Sequence, residues 1–206
     1  MKIAIEGMDG VGKTTIAKMI AKSENMLYID KPLKEIFDTE IINGKDNLAA
    51  ISSNIYKLDD EILKAWFFGM GNLYTFIKYK DRDLIIDRHF VSNYFWNGSD
   101  RSKNIFNNMI DLVGKPDLTI LLYATIETRL KRIYERNPND YDLADKEKHV
   151  IGYDKMIDFL DEFQIPYVLV NTENKSINDV YIEIKEIIKL LKNELQLKNK
   201  VKSKIK

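Results

Sequence analysis

Short apolar runs alternate along the chain with longer stretches in which apolar residues recur every three or four positions. This is the pattern of an α/β fold with a mostly parallel sheet, because parallel strands are buried on both faces while each crossover helix buries one. The predicted strands are Lys2 to Glu6, Met26 to Ile29, Asp83 to Asp87, Leu118 to Tyr123 and Tyr167 to Val170. Helices are predicted from near Lys13, from Asn47 to Lys80, Asn93 to Val113, Ile126 to Arg136, Lys146 to Phe163 and Ile177 to about Leu195. Gly114-Lys115-Pro116-Asp117 and Gln164-Ile165-Pro166 break helices before the last two strands. No internal repeat or interdomain linker interrupts the pattern, so a single domain is expected over residues 1–195. The lysine-rich end, 196–206, reads as a frayed solvated terminus or as a polyanion-binding tail.

Composition narrows the class. The 206 residues are 45% hydrophobic and 31% charged, as in soluble globular chains, and suffice for one core of ordinary size. Lysine and arginine total 32, as do aspartate and glutamate, so nothing in the overall charge attracts a nucleic-acid polymer or a membrane. Any basic site must be local. The absence of cysteine removes disulfides, zinc-thiolate sites and thiol catalysis, and suits a reducing cytoplasm. The first apolar run, Ile3 to Ile5, is too short for a signal peptide, and no run approaches a membrane span, so a cytoplasmic protein is expected.

The first strand ends in Gly7-Met8-Asp9-Gly10-Val11-Gly12-Lys13-Thr14, which fits G-x-x-x-x-G-K-[ST] between an apolar strand and a helical pattern. Glycines allow the backbone to bend around anionic oxygens, so that successive amides point at phosphates near a helix N-terminus. Lys13 would then reach the β- and γ-phosphates of ATP, and the Thr14 hydroxyl would be one ligand of Mg²⁺. The predicted ATP-binding residues are Gly7, Met8, Asp9, Gly10, Val11, Gly12, Lys13, Thr14 and Thr15. The expected fold is therefore a three-layer α/β/α P-loop NTPase with a five-stranded parallel sheet. At the end of the third strand, Asp87 is positioned to hold Mg²⁺ through water and Arg88 to offset charge on the transferring phosphoryl group, although a surface ion pair fits the same residues. His89 beside them suits a packing role better than catalysis.

Glu6 to Thr15, followed by Asp87-Arg88-His89 and Ser92, resembles the thymidylate kinase family. So do Pro116-Asp117-Leu118-Thr119, the helix from Glu127 to Arg136 at the entry of a short lid near 137–145, Gly152-Tyr153 and Val170-Asn171-Thr172. The resemblance implies transfer of the γ-phosphoryl group of ATP to a deoxynucleoside monophosphate, dTMP, with magnesium as cofactor. It implies that Asp9 lies near the sugar hydroxyl or metal of the acceptor and that Arg88 touches its phosphate. Arg132 would stack on adenine, and Arg136 would reach the phosphates as the lid closes. Arg129, Arg132 and Arg136 also fit the solvated face of a helix.

The sequence departs from the family where the acceptor is read. Trp66 to Asn72 carries no arginine to meet a thymine carbonyl, which leaves Phe67 and Phe68 as stacking candidates or as plain core. Asp30-Lys31-Pro32 replaces an Arg-Glu-Pro segment, with Lys31 as a candidate for the acceptor phosphate or as ordinary surface. The rival readings are a deoxynucleoside kinase, for which Asp30 would have to serve as base, and a P-loop regulatory module. The apolar helical stretch around Ile62, Trp66 and Leu73 offers a face for a homodimer.

Overall fold

The computed structural model describes residues 1–37, 47–140, 143 and 152–204. Its five strands are β1 (Lys2–Gly7), β2 (Leu27–Asp30), β3 (Leu84–Asp87), β4 (Leu118–Tyr123) and β5 (Tyr167–Asn171), each within a residue of its predicted bounds. All pair in parallel, in the order β2-β3-β1-β4-β5.

Alternation along the strands divides the core between the two faces of the sheet. Ile3, Ile5, Ile85, Ile120 and Leu122 face one side, where they meet α1 (Lys13–Glu24) and α8 (Ile177–Lys204) through Ile16, Ile20, Ile184 and Ile188. Leu121 faces the other side and joins Phe90, Phe106, Phe159 and Leu160. Those residues come from α4 (Phe90–Asn97), α5 (Lys103–Val113) and α7 (Gly152–Glu162). Leu84 and Ile86, also turned away from the first face, pack with Ile29 and with Phe76 of α3 (Glu61–Lys78).

Two predicted long helices are split. The stretch from Asn47 is broken into α2 (Asn47–Lys57) and α3. Asp59 takes a left-handed φ of 48°, and the Asp60 carboxylate accepts the Leu63 amide at 2.8 Å, capping α3. The stretch to Val113 begins earlier than predicted, at Phe90, and breaks at Gly98, after which the Ser102 hydroxyl accepts the Ser99 amide at 2.9 Å. α6 (Ile126–Arg136) matches its prediction. α7 begins at Gly152, and the start of the predicted helix, 146–151, lies outside the described residues. α8 carries on to Lys204 where a frayed end after Leu195 was expected; no glycine or proline interrupts that stretch.

Candidate active site

The carboxyl ends of β1 and β3 lie side by side, Ile5 pairing with Asp87, and this is where open α/β sheets bind ligands. Gly7, Gly10 and Gly12 all have positive φ, at 135°, 87° and 95°. A Cβ at Gly7 would stand 2.3 Å from the Leu122 carbonyl oxygen, and one at Gly10 2.6 Å from that of Arg129, so the loop is pressed against β4 and α6 as it turns. Gly12 leads directly into the N-terminus of α1.

Lys13 is buried and folds back to donate to the Met8 carbonyl at 2.8 Å, with its ammonium 3.6 Å from Asp9. Burial, with repulsion from Arg88 behind it, lowers the ammonium to about 8 against the pull of Asp9, Asp87 and Glu6. Arg88 takes a left-handed φ of 73° and donates to the Asp9 carboxylate. Burial alone would raise the Asp9 carboxyl, but Lys13 and Arg88 outweigh it and hold the group at about 2. The Thr14 hydroxyl donates to Asp87 Oδ2, to which the Tyr28 hydroxyl also donates at 3.4 Å. Asp87 Oδ1 is buried and has no hydrogen bond among the described residues.

Behind this layer lies a carboxylate to which sequence reasoning assigned no role. Glu6 is fully buried at the end of β1 and accepts the backbone amides of His89 and Ser92, at 2.6 and 3.2 Å, and the Ser92 hydroxyl. Burial raises its pKa against those hydrogen bonds and against Arg88. It fixes the start of α4 to the phosphate loop. The His89 ring stacks on Phe76 with centroids 4.4 Å apart, and burial lowers its pKa to about 3, so it is a neutral packing group near pH 7.

The three arginines of α6 part company. Arg129 is buried with its guanidinium 5.6 Å from the centroid of the Tyr153 ring, so it does not belong to a solvated face. Arg132 donates to the Thr172 hydroxyl at 3.0 Å and to its carbonyl at 2.7 Å. Arg136 is exposed and donates to Asp140 at 2.6 Å. Of the lid predicted at 137–145, residues 141, 142, 144 and 145 lie outside the described residues.

Two clefts open on this edge. One, of about 950 Å³, is lined by the loop from Asp9 to Thr15 together with Arg132, Arg136, Thr172 and Lys175. Gly7 and Met8, predicted to bind ATP, stand behind it: Gly7 is packed against β4, and the Met8 side chain lies in the core. The second cleft, of about 900 Å³, runs between α3 and α4, where Phe68, Asn72, Asn93, Trp96 and Asn97 line it. Phe68, named from sequence as a stacking candidate or as plain core, lines this cleft. Phe67 is not among the described lining residues; its ring packs on Phe37 and Phe68, at 5.9 and 5.0 Å. Asp9, Lys31 and Arg88 line both clefts. Lys31, like Arg88, is held at a left-handed φ, 51°. Sequence reasoning gave Asn72, Asn93, Asn97, Thr172 and Lys175 no binding role, because only the packing of α3 on α4, and of β5 beside α6, brings them to the clefts.

A phosphate loop beside a buried carboxylate, with two clefts that share Asp9, Lys31 and Arg88, defines a P-loop nucleotide kinase, a phosphotransferase. The family model described as thymidylate kinase matches residues 5–184. The chain belongs to the thymidylate kinase family. A probable thymidylate kinase of Methanocaldococcus jannaschii is 28% identical over 200 residues, covering 94% of this chain and 96% of that protein. One from Methanococcus aeolicus is 30% identical over 202 residues, covering 92% and 94%. Among solved structures, deoxyadenosine kinase from M. mycoides with bound products superposes with a TM-score of 0.65 at 18% identity, covering 92% of this chain and 99% of that one. Thymidylate kinase from Ehrlichia chaffeensis gives 0.58 at 18%, covering 92% and 98%. At that identity the two structures speak for the fold alone.

Proposed function

We infer that this chain transfers the γ-phosphoryl group of ATP to the 5′-phosphate of a deoxynucleoside monophosphate, dTMP, giving dTDP and ADP. The observation that carries the reading is the sharing of Asp9, Lys31 and Arg88 by the two clefts, which gives a donor and an acceptor a common boundary. An oxygen of the acceptor phosphate attacks the γ-phosphorus there as the bond to the β–γ bridging oxygen breaks, and the electron pair leaves on ADP. A phosphate monoester is largely ionised near pH 7, so no strong general base is required. Loop amides and Lys13 hold the β- and γ-phosphates, Arg88 holds the acceptor phosphate with Lys31 beside it, and Asp9 keeps Arg88 aimed. Arg132 lies against adenine, and Arg136 closes on the phosphates from the mouth of the donor cleft. Catalysis is thus positioning and charge stabilisation.

The Thr14 hydroxyl and the unpaired Asp87 Oδ1 fit Mg²⁺, Thr14 as a direct ligand and Asp87 through a water. Bound there, the ion would neutralise charge on the β- and γ-oxygens. A hydroxyl acceptor fits less well, because Asp30, its candidate base, is held by Lys34 at 2.7 Å and is not among the described residues lining either cleft. α3 carries an exposed apolar stripe, Leu63, Trp66, Met70, Tyr74 and Ile77, which we assign to a homodimer face; Ile62 and Leu73, named with Trp66 from sequence, turn toward the core. A cytoplasmic location agrees with the cysteine-free sequence, and no helix among the described residues is long and apolar enough to cross a membrane.

The test is a coupled assay for ADP with direct detection of the phosphorylated product, offering dTMP, other monophosphates and thymidine. Turnover with dTMP is expected. Turnover with nucleosides alone, or ATP hydrolysis without transfer, would overturn the reading.

A further inference from the structure

Lys31 stands at the boundary of the two clefts on a backbone that does not hold itself there. It follows β2, an edge strand, so the sheet reaches it from one side only, where its amide donates to the Asp87 carbonyl at 3.3 Å. Its φ of 51° is left-handed, a conformation that a residue with a side chain keeps only where the surroundings impose it. The residues after it form one 3-10 turn, Pro32–Glu35, in which the Lys34 amide donates to the Lys31 carbonyl at 2.8 Å.

The other side of this turn rests on α3. Gly71 lies in the interior of that helix, where glycine is disfavoured against alanine. A Cβ there would stand 2.5 Å from the Leu33 amide nitrogen, 2.7 Å from the Leu33 Cα and 2.8 Å from the Pro32 carbonyl carbon. All three are main-chain atoms. At Gly69 the nearest atom to such a Cβ, at 2.3 Å, is the Met109 Cε, the tip of a flexible side chain that can turn aside. At Gly71 nothing can give unless the turn itself moves. Leu33 is buried in this contact, and the Tyr79 hydroxyl, at the C-terminal cap of α3, donates to the Glu35 carboxylate at 2.7 Å. The helix thus grips the turn at two points, with Gly71 under Pro32-Leu33 and Tyr79 on Glu35.

We propose that Gly71 is a positioning residue for phosphoryl transfer: the notch it leaves in α3 seats the turn that holds Lys31 at the boundary of the clefts, and Tyr79 is the second fastening. This rests on the reading of Lys31 beside the acceptor phosphate given above, and it assigns the helix that keeps the ammonium there.

The experiment is a double-mutant cycle on kcat/KM for dTMP, with Lys31→Ala, Gly71→Ala, Tyr79→Phe and the two combinations that include Lys31→Ala. Lys31→Ala keeps a side chain on the left-handed backbone and removes only the ammonium, so a loss of about 20-fold is expected, the scale of a hydrogen bond to a charged group. Gly71→Ala is expected to lose about 10-fold when Lys31 is present and less than about 2-fold in the Lys31→Ala background, because the two residues act through one contact. Tyr79→Phe should lose about 3-fold, a loss that likewise disappears without the Lys31 ammonium. The affinity for ADP, which lacks the γ-phosphate, should stay within about 2-fold in every variant by calorimetry, since the phosphate loop is left intact. Equal losses in both Lys31 backgrounds, or a fall in ADP affinity that matches the loss of turnover, are what a general structural role gives and overturn the proposal. So does full turnover in Gly71→Ala or, where that protein fails to fold, in Tyr79→Phe. A Lys31→Ala enzyme as active as the wild type overturns the role of Lys31 and the proposal with it. Turnover with thymidine in place of dTMP overturns the monophosphate reading alone, and the cycle is then read on thymidine, because Lys31 also lines the donor cleft. Absence of turnover with either acceptor overturns both.

Discussion

Replacing Asp9 with asparagine keeps the size of the side chain and removes the charge that binds Arg88 and Lys13. The Asp9 carboxyl sits at about 2 in the folded protein against an ordinary 3.8. At about 1.4 kcal/mol per pH unit, that difference corresponds to about 2.4 kcal/mol favouring the folded state when the group is ionised. The side chain is only 18% exposed, so solvent screening removes little, and about 2 kcal/mol is expected. The sign follows from a lowered pKa: the contribution is complete above 3.8 and is lost as pH falls toward 2. Linkage puts about half of it gone by pH 3. Urea melts of the wild type and Asp9→Asn at pH 7, 5, 4 and 3 measure it. The two proteins should differ by about 2 kcal/mol at pH 7 and 5 and by about half as much at pH 3. A gap that stays constant across this range, or one that widens on acidification, refutes the pairing of Asp9 with the two cations as its source.

Gly10→Ala places a Cβ 2.6 Å from the Arg129 carbonyl at a φ of 87°, and should cost at least about 1–2 kcal/mol in melting experiments and raise the KM for ATP. Asp87→Asn should shift the Mg²⁺ requirement upward by about 10–100-fold in a metal titration of activity, and EDTA should abolish wild-type turnover. Trp66→Glu puts a charge in the middle of the exposed stripe on α3; sedimentation should then give a monomer where the wild type gives a dimer.

What could be read from the sequence was local in origin. The phosphate loop is recognisable because every requirement it meets, glycines at the turning points followed by a cation and a hydroxyl, is written in consecutive residues. The strands stood out as apolar runs, and Asp87-Arg88 stood out because it follows one. The breaks at Asp59-Asp60 and at Gly98 were hidden by apolar periodicity that continues across them, although Asp60, three residues before Leu63, is an N-cap that could have been noticed. Arg129, Arg132 and Arg136 share one helix, and no spacing rule distinguishes the one that Tyr153 covers from the two that line the donor cleft. Glu6 and Asn93 depend on partners far away in the chain, Ser92 for Glu6 and the Ala65 carbonyl for Asn93, which only the assembled sheet and the packing of α3 on α4 supply.

Lys31 and Arg88, both at the boundary of the two clefts, hold left-handed backbone angles that glycine or asparagine would adopt at lower cost. A selection for thermal stability alone would therefore favour replacing Lys31, gaining about 1 kcal/mol while discarding a cation that lines both clefts, whereas Arg88 is retained by its ion pair with Asp9. Persistence of Lys31 in a library would report selection for turnover, and its loss would reveal a screen that had rewarded folding in its place. That one position makes the chain a sensitive reporter of which pressure it has been under.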